Sequence, residues 1–384
     1  MKRIAITLKP THACNMRCKH CYHASEGFAT EQLKPESAKK MLDVVSNEYD
    51  QISVSFHGGE PTLWGIDNIR CVLEHEKQIL AQKPNVKFKN MIQTNALLLN
   101  KDWFDMFKEW DFVVGTSFDG PHNDDLRSNT ETVYRNLKAM QATGVKFGTL
   151  CVESGKSIDS TLKTYEWFKR EGINYKILAL FMSGAAVDHA DLELDINVYV
   201  DHLAELYKVW LFDKDCNIMM RTCEDLLKVS DKLYCLQYGG TCLHQRICLN
   251  PDGKIYPCGR PYTDDFCLGH IDTFESVRAA FLTPAYQSIV KMHAKRIAQC
   301  KEKCKFYGVC NGGCISSAML DGTFEKIDNT TCVRARRLLT AITEINTQVY
   351  AEFDNNDRLE RFNPKALSIM KKSRAGEYDC SCCR

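Results

Sequence analysis

Cys14, Cys18 and Cys21 stand in the run Cys-Asn-Met-Arg-Cys-Lys-His-Cys-Tyr, a CxxxCxxC spacing. Soft thiolate ligands favour iron–sulfur clusters or zinc. Closed zinc sites and ordinary ferredoxin sites take four protein ligands. Three thiolates hold a four-iron, four-sulfide cube by three corners only and leave one iron open. The spacing therefore predicts a cluster that binds a substrate or cofactor directly. Further cysteines keep regular spacings in the second half: Cys242, Cys248 and Cys258, then Cys300, Cys304, Cys310 and Cys314, and finally Cys332. On ligand chemistry alone these suit iron–sulfur clusters or a pair of zinc sites that staple a loop-rich domain. Cys71 and Cys151 are scattered and fit buried thiols that pack as small hydrophobes. Cys216, Cys223, Cys235 and Cys267 receive no role. Cys380, Cys382 and Cys383 could bind metal, form a redox tail or belong to a disordered terminus.

The elements that must position these groups are legible in the first half. Short apolar strands at Ile4–Leu8, Ile52–Phe56, Phe88–Gln93, Val113–Ser117, Val145–Val152 and Tyr175–Leu180 alternate with helical patterns. Pro35 opens the first helix, as proline can at a first turn, and Ala38, Met41, Leu42, Val45 and Tyr49 recur at helical spacing. Such alternation predicts right-handed βαβ units and a parallel sheet. Catalytic groups in such sheets lie at the carboxyl ends of the strands. The Cys14–Cys21 run follows strand one, Gly58-Gly59-Glu60-Pro61 follows strand two, and Ser117-Phe118-Asp119-Gly120 ends strand four. A helix is expected over residues 196–211, only short elements beyond Cys235, and a long helix over Arg334–Phe353 before a polar tail.

The composition narrows the class. The chain has 384 residues, 44% of them hydrophobic, enough for a full core, and a net charge of +1 from 50 basic and 49 acidic side chains. This balance steers it toward neither nucleic acid nor an anionic membrane surface. No apolar run approaches the roughly 20 residues that span a bilayer, and Ile4–Leu8 is too short for a signal peptide. A cytoplasmic location is expected, where twenty cysteines are not a disulfide framework.

With these motifs the chain resembles radical S-adenosylmethionine (SAM) enzymes over its whole βα region. The resemblance implies a partial (β/α)6 TIM-like barrel whose open iron chelates the methionine end of SAM. One-electron cleavage then releases a 5′-deoxyadenosyl radical that abstracts hydrogen from a C–H bond. It also implies cofactor contacts: Tyr22 at the adenine, the Gly58, Gly59 and Glu60 turn at the ammonium, Ser117 and Asp119 at the ribose and methionine ends, and Arg127 as a fork on the methionine carboxylate. His20 and His57 are expected to be packing or supporting groups. The later cysteines resemble the SPASM extension, which carries two auxiliary clusters, giving three [4Fe–4S] clusters in all. Cys242, Cys248, Cys258 and Cys314 would hold the first auxiliary cluster, and Cys300, Cys304, Cys310 and Cys332 the second. The family usually has CxxC where Cys300 and Cys304 are three residues apart. The implied organisation is an α/β barrel over 1–195, a helical bridge over 196–235, a small cysteine-rich, loop-dominated SPASM domain over 236–335, and a C-terminal helix and tail over 336–384.

Enzymes of this kind mostly modify peptides or proteins. The leading expectation is oxidative crosslinking of a ribosomally made peptide by a monomeric oxidoreductase, with flavodoxin or ferredoxin as reductant. The alternatives are formylglycine formation in a sulfatase, dehydrogenation of a small molecule, and a non-enzymatic cysteine-rich scaffold. Sulfatase-maturing relatives carry an aspartate, a proposed base, directly after the third ligand of the first auxiliary cluster. Here Gly259 and Arg260 follow Cys258, which weighs against that alternative. Cys14 lies so near the start that no amino-terminal leader-binding domain is expected. The sequence names neither a general base nor the substrate.

Overall fold

The computed structural model describes residues 2–228, 242–260, 263–320, 325, 327, 330–356 and 358–377. Cys235, Cys380, Cys382 and Cys383 lie outside the described residues.

Strands β1 (Arg3–Leu8), β2 (Gln51–Phe56), β3 (Lys87–Thr94), β4 (Val113–Ser117), β5 (Phe147–Glu153) and β6 (Tyr175–Ala179) alternate with helices. These are α1 (Pro35–Ser46), α2 (Ile66–Gln82), α3 (Lys101–Glu109), the single turn α4 (Asn123–Leu126), α5 (Thr130–Ala142) and α6 (Thr161–Glu171). The longer helix α7 (Ile196–Phe212) and the short α8 (Arg221–Leu227) follow. The second half holds β7 (Arg246–Leu249), β8 (Lys254–Tyr256) and β9 (Gly269–His270). It also holds α9 (Val277–Phe281), α10 (Pro284–Lys303), α11 (Tyr307–Cys310), α12 (Ile315–Leu320), α13 (Thr330–Asp354) and α14 (Pro364–Arg374).

One sheet runs in the order β6-β5-β4-β3-β2-β1-β7-β8-β9. Pairing is parallel from β6 through β7 and antiparallel from β7 to β9. Ile4, Ile6 and Leu8 of β1 and Ile52, Val54 and Phe56 of β2 are buried under the helices, and the residues between them turn to the other face. Helix ends follow local chemistry. Pro35 starts α1. Asn100 caps α3 by accepting from the N–H groups of Asp102 and Trp103 at 3.0 and 3.3 Å. Left-handed Gly172 (φ 66°) ends α6.

The second half differs from its expectation at α10, at α13, which starts four residues early, and at α14, which lies in the stretch read as a polar tail. Helix α10 is twenty residues long in a stretch whose cysteines and glycines predict short elements. Thr283 accepts from the Tyr286 N–H at 3.3 Å, Pro284 occupies the first turn, and Tyr286, Ile289, His293, Arg296 and Cys300 form one buried stripe. Strand β5 begins at Phe147, where its pairing with Val114 begins, after left-handed Gly144 (φ 80°). Helix α13 starts at Thr330 and takes Cys332 into its first turn. The carboxyl-terminal helices pack on α7: Tyr207 donates to Asn346 Oδ1 at 2.5 Å, and the Phe212 and Phe362 rings stack with centroids 5.1 Å apart. Among the described residues no helix is long and apolar enough to cross a membrane.

Candidate functional site

Three loops meet at the carboxyl ends of β1, β2 and β4, where parallel sheets place their ligands. The Gly58–Glu60 turn is laced to the segment leading into Cys14. Gly59 N–H donates to Thr11 O at 3.0 Å and Glu60 N–H to Ala13 O at 2.8 Å. A Cβ at Gly59 would lie 2.1 Å from Ala13 O, so only glycine permits this approach. His57 Nδ1 accepts from Gly58 N–H at 2.7 Å. Burial pushes the His57 imidazole down to about 3, so it stays neutral and supports the turn.

Glu60 is buried and its carboxylate is fully engaged. It accepts from Thr62 N–H at 3.0 Å, Thr62 Oγ1 at 2.6 Å, Thr94 Oγ1 at 2.8 Å and Asn95 N–H at 2.7 Å. Burial raises its pKa, and these donors work against the rise. Glu60 thus ties the β2 loop to the end of β3, and the turn's backbone is what remains for a ligand. Asn95 extends the tie to the cysteines: its Nδ2 lies 2.7 Å from Asn15 Oδ1 and 3.8 Å from Cys14 Sγ. Sequence reasoning missed Thr94 and Asn95. Their signal is a polar pair at the carboxyl end of a strand, on the same rim as the motifs.

Asp119 and Arg127 form a buried pair. Arg127 Nε and a terminal nitrogen reach the two Asp119 oxygens at 2.7 and 3.3 Å, and Val152 N–H donates to Asp119 Oδ1 at 2.7 Å. The guanidinium fork therefore already holds Asp119. Arg127 also hydrogen-bonds the Cys18 thiol, which burial raises and the guanidinium charge lowers. Ser117 Oγ accepts from Gln93 Nε2 at 2.9 Å. Tyr22 lies beside His23 with ring centroids 4.1 Å apart and the planes tilted by 36°, and the Arg260 guanidinium lies 5.4 Å from the Tyr22 ring. The residue two beyond Cys258 is thereby brought to the residue after Cys21.

Burial and neighbouring thiols act together on the cysteines. Burial pushes Cys14 up to about 11, and Glu60, Cys18 and Cys21 add to the rise. Burial takes Cys242 to about 12, with Cys258 and Cys314 adding to it. It takes Cys248 to about 12 as well, where Lys9 opposes and Cys258 adds. Cys310 also reaches about 12 by burial, with Cys332, Cys300 and Cys304 contributing. Cys300, Cys304, Cys310 and Cys332 line one small cavity together with Arg296. Arg296 is buried, with Nε and one terminal nitrogen lacking a hydrogen-bond partner. A buried guanidinium that reaches the Cys300 thiol and keeps two nitrogens without partners beside four thiols suits an anionic iron–sulfur cube. Among the described residues no three metal-binding side chains are arranged to hold a single ion. A cube spreads its ligands more widely than one ion does. Cys216 and Cys223 are buried in the apolar core, as Cys151 is.

A second polar network lies between the first cysteines and Cys248. Lys9 is almost fully buried and sits 2.5 Å from Glu26 Oε1, while His12 Nδ1 lies 3.1 Å from Glu26 Oε2 and His23 bonds the same oxygen. These partners hold the Glu26 carboxyl well below the usual carboxylate range, against its burial. Spacing gave no sign of it, since Lys9, His12, His23 and Glu26 belong to no motif.

The fold and this rim define the class. Residues 8–191 match the model of the Radical SAM superfamily, and the chain carries a radical SAM domain. Among curated proteins, the cysteine-type anaerobic sulfatase-maturating enzyme of Clostridium perfringens is 26% identical over 338 residues, covering 82% of this chain and 89% of that one. Native anSMEcpe with bound AdoMet superimposes with a TM-score of 0.76 at 25% identity, over 90% of this chain and 99% of that one. Streptococcus suis SuiB bound to S-adenosylmethionine shares the fold at a TM-score of 0.63 and 15% identity, over 86% and 77% of the two chains.

Proposed function

We propose that this protein oxidatively modifies a peptide or protein at a C–H bond, with crosslinking as the outcome. Cys14, Cys18 and Cys21 hold a cluster with one open iron. Cys242, Cys248, Cys258 and Cys314 hold a first auxiliary cluster, and Cys300, Cys304, Cys310 and Cys332 a second. SAM bound at the open iron supplies the 5′-deoxyadenosyl radical that removes a hydrogen atom. The protein's own residues shape the site. The Gly58–Gly59 backbone lets the cofactor's ammonium approach, Tyr22 offers a ring to the adenine, and Ser117 faces the ribose end. Arg127 steadies Cys18 and, through Asp119, the β4–β5 rim. Four cysteines on each auxiliary cluster would leave no iron for substrate, and a cluster held there would supply an acceptor for the electron that the substrate radical loses on becoming product. A flavodoxin or ferredoxin is the expected reductant.

The observation that carries the choice of outcome is Gly259. A Cβ there would lie 2.8 Å from Thr7 Cγ2, so an aspartate in its place would have to push the Thr7 side chain of β1 aside. Gly259 itself offers no carboxylate base at that position. The likeness to sulfatase-maturating enzymes favours formylglycine formation as the second reading. Both are tested by incubating the anaerobically reduced protein with SAM and the peptide encoded beside its gene, followed by mass spectrometry and hydrazide trapping. A product two hydrogens lighter that does not react with hydrazide is expected. A hydrazide-reactive product would instead establish the second reading, and an unchanged peptide despite SAM turnover would contradict both.

A further inference from the structure

The inner face of the sheet carries an unbalanced charge at the end away from Cys14, Cys18 and Cys21, where Cys242 also lines the wall. Ala5, Ser53 and Lys89 stand in one row across β1, β2 and β3, and Arg246 joins the row from β7 opposite Ala5. Lys176 stands opposite Leu150 on β6 and β5. Where β4 meets β5, Gly115 pairs with Gly148, and a Cβ at Gly148 would touch nothing within 4 Å. This end of the sheet bounds a cavity of about 1380 Å³, above the range of roughly 300–1,000 Å³ typical of small-molecule pockets.

Its described lining includes eight lysines and arginines and a single carboxylate, Asp111, in a chain whose net charge is only +1. Glu224 and Asp225, at 3.2 Å from Arg221 and Lys176, offset two of the cations. Arg3, Lys146 and Arg246 line the cavity and make no ion pair among the described residues. A recess lined by one sign of charge concentrates the field inside it and gathers the opposite charge.

We propose that this mouth of the barrel docks an acidic stretch of the peptide substrate, apart from the residue that is modified. The inference rests on the peptide reading above. The cations line a recess, so an extended Asp/Glu-rich chain can reach them where a folded electron donor would meet only the rim. The mouth and the Cys14–Cys21 end are separated by the length of a strand, five steps from Arg3 to Leu8, or roughly 17 Å at about 3.3 Å per step. The acidic stretch therefore lies at least about five residues from the modified position.

Fluorescence anisotropy of a labelled ten-residue glutamate peptide, with a ten-residue glutamine peptide as reference, tests this on the full-length, cluster-loaded protein in low salt. Wild type should bind the glutamate peptide, and the combination Arg3→Gln, Lys87→Gln and Lys146→Gln, all exposed lining residues, should weaken binding at least tenfold. A remote combination, Lys101→Gln, Lys371→Gln and Lys372→Gln, should leave it unchanged. Equal binding by wild type and the barrel variant, or equal binding of the two peptides, would overturn the site. Binding is measured without turnover. A protein that docks the acidic peptide but modifies no substrate keeps this site and loses the proposed function, and the reverse result separates the two as cleanly.

Discussion

Arg127 shows how a residue read as a ligand's fork can carry an unexpected partner. The sequence marks it by its place after the Ser117–Gly120 motif, but its fork is closed on Asp119, eight positions upstream. Nothing in the spacing separates an intramolecular carboxylate from a ligand's, because both present the same two oxygens to the same guanidinium. The pair is buried on both sides, so removing one partner strands a charge. Arg127→Gln should destabilise the protein by about 3 kcal/mol, seen as a lower melting temperature. Adding Asp119→Asn should restore part of the loss. A single variant that melts like wild type would show that the pair holds nothing. Glu60 teaches the same lesson. Its motif is legible, whereas its four donors come from Thr62, Thr94 and Asn95 and emerge only from folding.

Among the elements, the strands were the most legible, because an apolar residue at every second position must face the helices. Boundaries shifted by one or two residues where a glycine or a pairing partner intervened, as at Gly144 and Phe147. Helix α10 was hidden because its buried stripe includes His293, Arg296 and Cys300, which do not look apolar in a sequence. The α2–β3 contact gives a prediction at this scale. Glu76 on α2 is buried and accepts from Asn90 Nδ2 on β3 at 2.7 Å, while its other oxygen has no partner. Burial pushes its carboxyl up to about 8, against an ordinary value of 4.5. Between those values the folded state holds a proton that the unfolded chain has released. Stability therefore falls as pH rises, by up to about 1.4 kcal/mol per pH unit. Glu76→Gln should remove this slope and raise the denaturation midpoint at pH 8 while changing little at pH 4.5. Wild type and variant curves that run parallel from pH 5 to 8 would refute it.

At the scale of the whole molecule, the sheet joins the two halves. Strand β7 pairs with β1 and ends in Cys248 and Leu249 opposite Thr7 and Leu8, bringing a late cysteine alongside the strand that leads into Cys14. Local spacing marked the Cys14–Cys21 run, which is nearly contiguous in the chain, whereas the interleaved later sets, with Cys314 and Cys332 far from their partners, came only from the resemblance. Spacing could not reveal the Lys9–Glu26 network or the basic mouth of the barrel, which draw single residues from many elements. The claim beneath every functional statement is that Cys14, Cys18 and Cys21 hold a cluster with one iron open to SAM. The most direct measurement is 5′-deoxyadenosine release from anaerobically reduced, iron-replete protein given SAM, comparing wild type with Cys14→Ala. Steady release by wild type and background release by the variant are predicted. Release undiminished in Cys14→Ala, or none from wild type carrying its full iron, would contradict the account.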